Sequence, residues 1–264
     1  MYTYKSHKYN GEFNLIDTPE KAYVLGLFYS DGCISHTHHR KYSYFCHIKL
    51  KRSDEEIFIK ILELFPFFTL SYEKDSVSLR CNQKRFFLDL KLNGLVERKS
   101  FENKNKLRFP NLRGDLISHF IRGYFDGNGS IYEYLNSKSL SKGFSFTTPS
   151  YFFIKRLREI LYYNDIRMRF YHVRGGKSVI RGREVIFKSL TFSLIIQNKE
   201  IIKKAEKFLY KDATLYLERK FSIFSTWIKQ VKMKPIKPNS SIHELFIDGK
   251  KFIINMSAPL SSDV

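Results

Sequence analysis

The chain is poor in cysteine, and its few cysteines are not spaced as a site. Cys33, Cys46 and Cys81 are the three cysteines among 264 residues, an odd number without a paired spacing. This pattern excludes a disulfide framework of the kind that stabilises small secreted domains, and it does not suggest a zinc site. The scarcity predicts a protein of a reducing compartment.

Long apolar runs are also missing. No segment is long enough to cross a bilayer, and the amino terminus (MYTYKSH) lacks the apolar core of a signal peptide. We therefore expect no membrane partner. The expected location is the cytoplasm, or an organelle or nucleoid that holds the chain's partner.

Acidic residues are outnumbered. The 26 Asp and Glu stand against 46 Lys and Arg, which gives a net charge of +20. This charge predicts a polyanionic partner: DNA, RNA or an anionic membrane, of which nucleic acid is favoured. The apolar fraction of 43% supports real hydrophobic cores and excludes disorder. We interpret His36, His38 and His39 as part of a solvated or phosphate-contacting hairpin, because adjacent strand residues point to opposite faces and a metal needs convergent ligands.

One internal repeat dominates what is present. Residues 24–32 (VLGLFYSDG) and 121–129 (IRGYFDGNG) superimpose with an offset of 97 residues. Each is an apolar helical run with small residues four apart, and each ends in a carboxylate or amide followed by glycine. Small residues at this spacing allow two helix backbones to approach closely, so we expect Gly26 to lie near Gly123. Read with the basic composition, the repeat points to a pseudo-symmetric protein acting on duplex DNA.

Both nonapeptides resemble the signature of the LAGLIDADG homing endonucleases in their monomeric, two-repeat form. The resemblance covers most of the chain, and two copies in matching context are far more specific than one. It implies an α+β fold of two pseudo-symmetric αββαββα repeats that form an antiparallel β saddle, with the two motif helices packed at the centre. It also implies a site-specific endonuclease that hydrolyses double-stranded DNA with Mg²⁺, for which Ca²⁺ or Mn²⁺ can substitute. The expected partner is a long pseudo-palindromic DNA target, with intron RNA as a further partner of this monomer and intron or intein mobility as its biological role.

The hydrophobic pattern repeats the order αββαββα in both halves. In the first half it predicts a motif helix after Thr18, strands near 33–40 and 42–51, a helix from Ser53, strands near 68–73 and 76–82, and a helix to Gly94. In the second half it predicts a motif helix to Gly127, strands near 130–136 and 143–148, a helix from Ser150, strands near 166–174 and 185–197, and a helix over 201–209. Residues 174–183 are predicted to be a basic loop, and 243–255 a final hairpin. The resulting domains are a first repeat with an N-terminal extension (1–98), a linker (99–111), a second repeat (112–231) and a C-terminal extension (232–264).

The polar ends of the two motifs are the candidate catalytic centre. If the glycine-striped helices pack side by side, Asp31 and Asn128 come close together, and carboxylate with phosphate oxygens is the environment that Mg²⁺ requires. The resemblance implies that Asp31 and Asn128 are the metal-binding positions, helped by the backbone carbonyls of Ser30 and Gly127. Asn128 departs from the family, most members of which carry Asp or Glu at this position. An amide is neutral and cannot act as a base. We therefore expect weakened cleavage.

The resemblance implies four further catalytic positions. Lys99 and Lys220 follow the last predicted helix of each half and correspond to the basic residue that faces the scissile phosphate. Lys51 and Thr148 each precede a helix-capping serine by two residues and correspond to the polar position that orders water.

DNA recognition is predicted to fall to the strands, whose free faces can lie along the major groove. The candidates of the first half are Ser35, His47, Lys49, Arg80 and Asn82. Those of the second half are Tyr132, Tyr134, Arg167, Arg169, Tyr171, Arg174, Lys177, Arg181 and Arg183. Many of them are expected to contact phosphate and to supply affinity without sequence choice.

Two other classes of protein fit part of the pattern. A non-cleaving DNA-binding protein or an RNA-splicing maturase of the same fold accommodates Asn128 equally well. A basic structural protein of a ribonucleoprotein explains the charge but not the repeat.

Overall fold

A computed structural model describes residues 7–37, 43–100, 103, 106–136, 139–173, 176–180, 183–187, 190–229, 243–247 and 250–254. Among these residues no helix is both long and apolar enough to cross a membrane.

The first repeat has the predicted order αββαββα. Its elements are α1 (Pro19–Ser30), β1 (Gly32–Thr37), β2 (Ser43–Lys51), α2 (Glu55–Leu64), β3 (Thr69–Tyr72), β4 (Ser76–Arg80) and α3 (Lys84–Leu92). The Thr18 hydroxyl caps α1 by accepting a hydrogen bond from the amide of Lys21 at 3.3 Å, and Pro19 occupies the first turn. Both features are the start signals expected from the sequence.

The second repeat follows the same order with two additions. Its elements are α4 (Ile117–Asn128), β5 (Gly129–Asn136), β6 (Ser139–Thr148), α5 (Tyr151–Tyr163), β7 (Arg169–Val173), β8 (Gly176–Ile180), β9 (Arg183–Phe187), β10 (Thr191–Ile196), α6 (Lys199–Tyr210) and α7 (Glu218–Lys229). The prediction of a basic loop over 174–183 was wrong for its described part, because β8 and β9 form a hairpin of their own. The predicted single strand over 185–197 is two strands, and α7 was not predicted.

Each repeat builds one main antiparallel sheet. The first sheet has the order β1-β2-β4-β3. The C-terminal strands β11 (His243–Ile247) and β12 (Lys250–Ile254) confirm the predicted final hairpin. They extend the second sheet, whose order is β12-β11-β5-β6-β10-β7. The tail therefore adds two strands that have no counterpart in the first half.

The motif helices α1 and α4 pack against each other through glycine, as expected. A Cβ added at Gly123 would overlap the backbone oxygen of Tyr23 and lie 3.2 Å from the Cα of Gly26. A Cβ at Gly26 would likewise overlap the backbone oxygen of Phe120. Backbone thus meets backbone at this crossing, and a side chain larger than hydrogen does not fit.

Among the described residues, alternating burial shows that helices pack on one face of each main sheet and that the other face is more open. In β2 the buried residues Cys46, Ile48 and Leu50 alternate with half-buried or exposed His47 and Lys49. In the second sheet Phe146 and Leu194 lie opposite each other and are fully buried on the helical side. The more open face, here called the free face, carries the alternate residues of every strand.

Candidate active site at the ends of the motif helices

The ends of α1 and α4 meet at Gly127. A Cβ added there would overlap the hydroxyl of Ser30 and lie 3.1 Å from Oδ2 of Asp31. The Asp31 carboxylate of the first motif therefore reaches the last turn of the second motif helix. Since α1 leads directly into β1 and α4 into β5, this point is also where the first strand of each sheet begins.

The Asp31 carboxylate lies between two ammonium groups. The surrounding protein desolvates this carboxylate and raises its pKa, while the positive charges of Lys220 and Lys99 act in the opposite direction. The residue keeps an exposed side. A carboxylate that is partly open and flanked by cations can meet a ligand that brings both positive charge and anionic oxygens.

The second motif contributes a neutral set of groups at the corresponding place. The Tyr124 hydroxyl donates to the backbone oxygen of Thr147 at 3.1 Å, and its surroundings include hydrogen-bonding contacts with the side chains of Asn128 and Thr148. Burial raises the pKa of Tyr124 to about 12, so this hydroxyl stays protonated at neutral pH. Asn128 is half-buried and Thr148 is buried. The site is thus charged on the Asp31 side and uncharged on the Asn128 side.

The two predicted lysines occupy pseudo-equivalent positions but differ in freedom. Lys99 donates to the backbone oxygen of Gly32, and Lys220 donates to that of Gly129 at 2.6 Å. Lys220 also donates to the backbone oxygens of Phe125 at 2.7 Å and Asp126 at 2.8 Å. Its three donors are therefore directed at carbonyls at the end of α4.

The two lysines also differ in exposure. Lys220 is 3% exposed, whereas Lys99 is half-buried. Desolvation lowers the pKa of Lys99 to about 8, and the charge of Asp31 partly opposes that shift. Lys99 is therefore the lysine that can change its protonation state near neutral pH.

The two predicted water-ordering residues lie in unlike surroundings. Lys51 is exposed at the end of β2, opposite Ser76. Thr148 is 2% exposed at the end of β6, and its hydroxyl accepts from the amide of Ser150 at 3.2 Å. Both lie at strand ends. Ser150 caps α5 as predicted and accepts from the amide of Phe153 at 3.3 Å, but the prediction that Ser53 caps a helix was wrong, because Ser53 lies within a 3-10 turn (Arg52–Asp54) that precedes α2.

A buried polar network beneath the site was not predicted as a whole. Arg122 is fully buried and donates to the backbone oxygens of Leu215 at 2.8 Å and Leu209 at 2.7 Å, and it contacts His119. The sequence signal was a charged residue inside an apolar motif helix, at the position that Leu25 occupies in the first copy.

Asp126 joins this network to the first motif. Its Oδ2 accepts from the Tyr23 hydroxyl and from the amide of Leu217, both at 2.8 Å. In the ranges that the structure describes, its other oxygen and the neighbouring buried hydroxyl of Tyr210 meet no partner with full hydrogen-bond geometry, although these two side chains interact with each other. Desolvation raises the pKa of Asp126 to about 6. These contacts make Asp126 a structural residue that bonds to the backbone before α7 and to the first motif helix.

The oxygen atoms where α1 and α4 end suit a hard divalent cation only if a bound phosphate adds further oxygen ligands. Within the part of the chain that the structure describes, no cluster of three or more His, Cys, Asp and Glu side chains could hold a metal ion. Asp31 offers carboxylate oxygens, Asn128 an amide oxygen, and Ser30 and Gly127 offer backbone carbonyls, all of them the oxygen ligands that Mg²⁺ takes. Since Mg²⁺ usually keeps waters and binds through one or two carboxylates plus phosphate oxygens, these residues fit it when phosphate is present.

The candidate DNA-contacting residues of the first half share the free face. His47 lies opposite Arg80 and next to Lys49 along β2, and Ser35 lies in the neighbouring strand β1. Burial and the positive charges of Arg80, Lys49 and Lys99 lower the pKa of His47. Asn82 follows β4 and is exposed. This cluster of cations favours an anion over the free face.

The candidates of the second half divide into two groups. Arg169 is exposed and Tyr171 is 44% exposed on β7, opposite Ile195 and Ser193, while Arg167 is exposed just before that strand. Arg167 and Arg169 line a recess of about 230 Å³. Tyr132 is only 9% exposed because its ring packs over Gly143.

The remaining candidates lie in or beside less fully described segments. The backbone places Tyr134 in β5, Lys177 in β8 and Arg183 in β9. Arg174 and Arg181 lie outside the described residues.

Comparisons with known proteins agree with this architecture. Residues 115–209 match the family model of LAGLIDADG-like domains. A search of curated proteins finds no match. This match covers most of the second repeat.

Solved structures extend the likeness to about four-fifths of the chain, over both repeats. A structure of the I-SmaMI LAGLIDADG homing endonuclease bound to cleaved DNA matches with a TM-score of 0.53 and 12% identity, over 81% of this chain and 88% of that one. The LAGLIDADG homing endonuclease I-GzeII in complex with its DNA target matches with a TM-score of 0.52 and 13% identity, over 81% and 89%. The LAGLIDADG meganuclease I-AabMI bound to uncleaved DNA matches with a TM-score of 0.50 and 16% identity, over 80% and 89%. The chain has the two-repeat fold of the LAGLIDADG homing endonucleases, which confirms the resemblance and the fold expected from its two motifs.

Proposed function

We propose that this protein is a site-specific double-stranded DNA endonuclease that works as a monomer with a divalent metal, and that Asn128 weakens its cleavage. The observation that carries the proposal is the position of Asp31, which reaches Gly127 between the charges of Lys99 and Lys220. A phosphodiester at this point would meet the Asp31 carboxylate, the half-buried Lys99 ammonium and several oxygen atoms that can bind a metal ion. The biological role that goes with this activity is mobility of the intron or intein that encodes the protein.

Each residue has a separate task in the proposed reaction. Hydrolysis needs a water that loses a proton and a leaving oxygen that is stabilised as it gains negative charge. A divalent ion held by Asp31, the carbonyls of Ser30 and Gly127, and the Asn128 amide would supply an activated water and positive charge at the leaving oxygen. Lys99, when protonated, places an ammonium group beside the phosphate. Tyr124 and Thr148 fix the neutral half of the site by hydrogen bonds.

The free faces support a duplex as the substrate. Arg80 and His47 in the first sheet and Arg169 and Tyr171 in the second sheet lie on these faces. A twisted antiparallel sheet can enter the major groove, where Arg and Lys read guanine. The similar structures named above are described as bound to DNA, which supports the same partner class for this chain.

A second candidate is a non-cleaving DNA-binding protein or maturase of the same fold. Asn128 is the observation that favours it, because the second motif then offers no carboxylate at its meeting point with the first. A single charged ligand binds divalent metal more weakly than two, so binding without cleavage is the result this alternative expects.

Restoring the missing carboxylate separates the two functions. We expect Asn128→Asp to raise double-strand cleavage by orders of magnitude over the parent, which should cut slowly or nick one strand. The targets are selected from a random duplex library by binding in Ca²⁺, and cleavage is then followed in Mg²⁺ on supercoiled plasmid carrying them. Asp31→Asn in the parent should abolish cleavage and leave binding nearly intact.

The control for added negative charge is Asn10→Asp, an exposed amide in the N-terminal extension. It should leave the cleavage rate unchanged. An Asn128→Asp protein that binds its target but cuts no faster than the parent would make the binding protein the better assignment.

A further inference from the structure

The outward face of α5 has an unusual composition for a surface helix. It exposes aromatic rings at both ends and cations between them. The residues that define this α5 surface are Tyr151, Phe152, Lys155, Arg156, Arg158, Tyr162 and Tyr163. The rings are far from hidden: Phe152 is 45% exposed, Tyr162 57% and Tyr163 81%. Large aromatic side chains exposed in one patch mark an interaction site more often than a chance surface.

Guanidinium groups already stack on rings at both ends of this surface. The Arg108 guanidinium lies 3.8 Å from the ring centre of Phe152, and that of Arg167 lies 5.5 Å from the ring centre of Tyr162. The helical rise separates the two aromatic ends by roughly 16 Å. Rings and guanidinium planes together are the groups on which unpaired bases stack, and the cations between them suit a phosphate backbone.

The pseudo-symmetric counterpart of α5 has the opposite chemistry. When the buried residues Phe58 and Ile154 are superimposed, Glu55 and Glu56 of α2 stand where Tyr151 and Phe152 stand. Helix α2 carries three glutamates and one lysine, whereas α5 carries three cations and one glutamate. The fold therefore does not require an aromatic and basic surface at this position.

The α5 surface lies on the opposite side of the second sheet from the free face. Phe153, Ile154 and Leu157 pack inward from α5, and Phe192 of β10 contacts Tyr151 on the helical side at 5.4 Å between ring centres. A strand bound along α5 and a duplex bound to the free face would thus lie on opposite sides of the sheet and come near each other at Arg167, which contacts Tyr162 and lines the recess with Arg169. This surface is not part of the proposed cleavage site.

We propose that the α5 surface binds single-stranded RNA. A duplex keeps its bases stacked inside, so the exposed rings select a strand with unpaired bases. Three of the four exposed rings, Tyr151, Tyr162 and Tyr163, carry a hydroxyl that can bond the ribose 2′-hydroxyl, the group that distinguishes RNA from DNA. The proposal is independent of cleavage and goes beyond the proposed nuclease function.

Fluorescence anisotropy of labelled oligouridylate tests the proposal on the full chain. The variant Tyr162→Ala/Tyr163→Ala should bind this RNA at least tenfold more weakly than the parent, because it removes two of the rings on which bases would stack. The matched control is Ile59→Ala/Leu64→Ala, which removes two exposed apolar side chains from α2 and should leave RNA affinity unchanged. Both proteins should bind non-specific duplex as the parent does, and a saturating duplex should not displace the RNA.

A second variant tests the choice of RNA. Tyr162→Phe/Tyr163→Phe keeps the rings and removes the hydroxyls, so it should lower the affinity for oligouridylate toward the weaker affinity for oligodeoxyuridylate. Equal binding of both oligonucleotides by the parent would overturn the choice of RNA. Displacement of the RNA by duplex would place the RNA on the free face, and unchanged RNA affinity in the alanine variant would show simple charge attraction. If polyglutamate displaced the labelled oligouridylate as efficiently as unlabelled RNA does, the partner would be an acidic protein. Displacement by duplex, unchanged affinity in the alanine variant and displacement by polyglutamate would each overturn the proposal.

Discussion

At the scale of single residues, two pseudo-equivalent lysines have different tasks. Lys220 donates hydrogen bonds to three backbone carbonyl oxygens at the end of α4, at distances of 2.6 to 2.8 Å. Lys99 has a depressed pKa and the nearby charge of Asp31. The charges of both lysines act on Asp31, but Lys220 is buried with all three donors bonded, whereas Lys99 is half-buried. We therefore expect Lys220 to act mainly on stability and Lys99 mainly on cleavage.

Replacing each lysine with methionine should separate these tasks. Lys220→Met leaves three carbonyls without a charged donor and should lower the free energy of unfolding by about 3 kcal/mol or more. Lys99→Met should change it by about 1 kcal/mol or less while reducing cleavage by the Asn128→Asp protein at least tenfold. Urea unfolding and plasmid cleavage measure the two effects. Equal destabilisation by both substitutions would contradict this division.

Asp126 predicts a specific pH dependence of stability. Its pKa is about 6 in the folded protein and 3.8 as the ordinary value, so between these values the folded state binds more protons than the unfolded state. Stability should therefore rise as pH falls through 6, relative to Asp126→Asn, which cannot titrate. Urea unfolding of both proteins should show the difference between them growing by about 1 kcal/mol from pH 6 to pH 5. A difference that stays constant over this interval would mean that Asp126 is not titrating there.

At the scale of elements, the crossing of α1 and α4 organises the core. Gly26 and Gly123 bring the two backbones together, and this contact places Asp31 against Gly127. Any widening of the crossing would therefore move the two halves of the site apart as well.

Gly123→Leu should test this crossing. The added side chain would collide with the Tyr23 backbone, so we expect a loss of several kcal/mol in the free energy of unfolding, or separation of the two repeats. Gly114→Leu is the matched control, because a Cβ at Gly114 meets nothing within 4 Å. Chemical denaturation measures the loss and limited proteolysis detects separated repeats. A Gly123→Leu protein that melts like the parent would refute the packing.

The elements that sequence patterns predicted are those with local signals. Thr18 and Pro19 mark the start of α1, and alternation of Cys46, Ile48 and Leu50 marks β2. The additions to the second repeat were missed because pseudo-symmetry gave no reason to expect them: α7 has no counterpart after α3. In the β8–β9 segment the glycines and arginines gave the pattern of a loop, and pairing between these two adjacent strands outweighed it.

In the candidate active site too, the contacts that could be predicted are those with a local sequence signal. The meeting of Asp31 with the second motif was predictable because the motif itself fixes both helix ends. The partners of Lys220 and Asp126 were not, since Asp126 contacts Leu217 across 91 positions of sequence and Lys220 reaches Gly129 across 91 as well. Such contacts depend on how α6 and α7 close over α4, which no local pattern specifies.

At the scale of the whole molecule, a repeated frame carries unequal surfaces. The first motif ends in Asp31 and the second in Asn128, the first sheet has four strands and the second six, and α2 is acidic where α5 is basic. Duplication supplies two similar free faces for a pseudo-palindromic duplex. The differences between the halves allow each one a task that the other lacks.

The distribution of charge over the molecule leads to the last prediction, on the salt dependence of duplex affinity. With a net charge of +20 and cations on both free faces, duplex binding should release many counterions, so affinity should fall on the order of a thousandfold between low and physiological salt. Arg169→Gln removes an exposed cation of the free face and should reduce the slope of log affinity against log salt by about 1. Lys60→Gln removes a cation on the helical side, in α2, and should leave the slope unchanged. Anisotropy with a labelled duplex at several salt concentrations measures all three proteins. A flat response in the parent, or equal slopes in the two variants, would argue against a duplex held by phosphate contacts on the free faces.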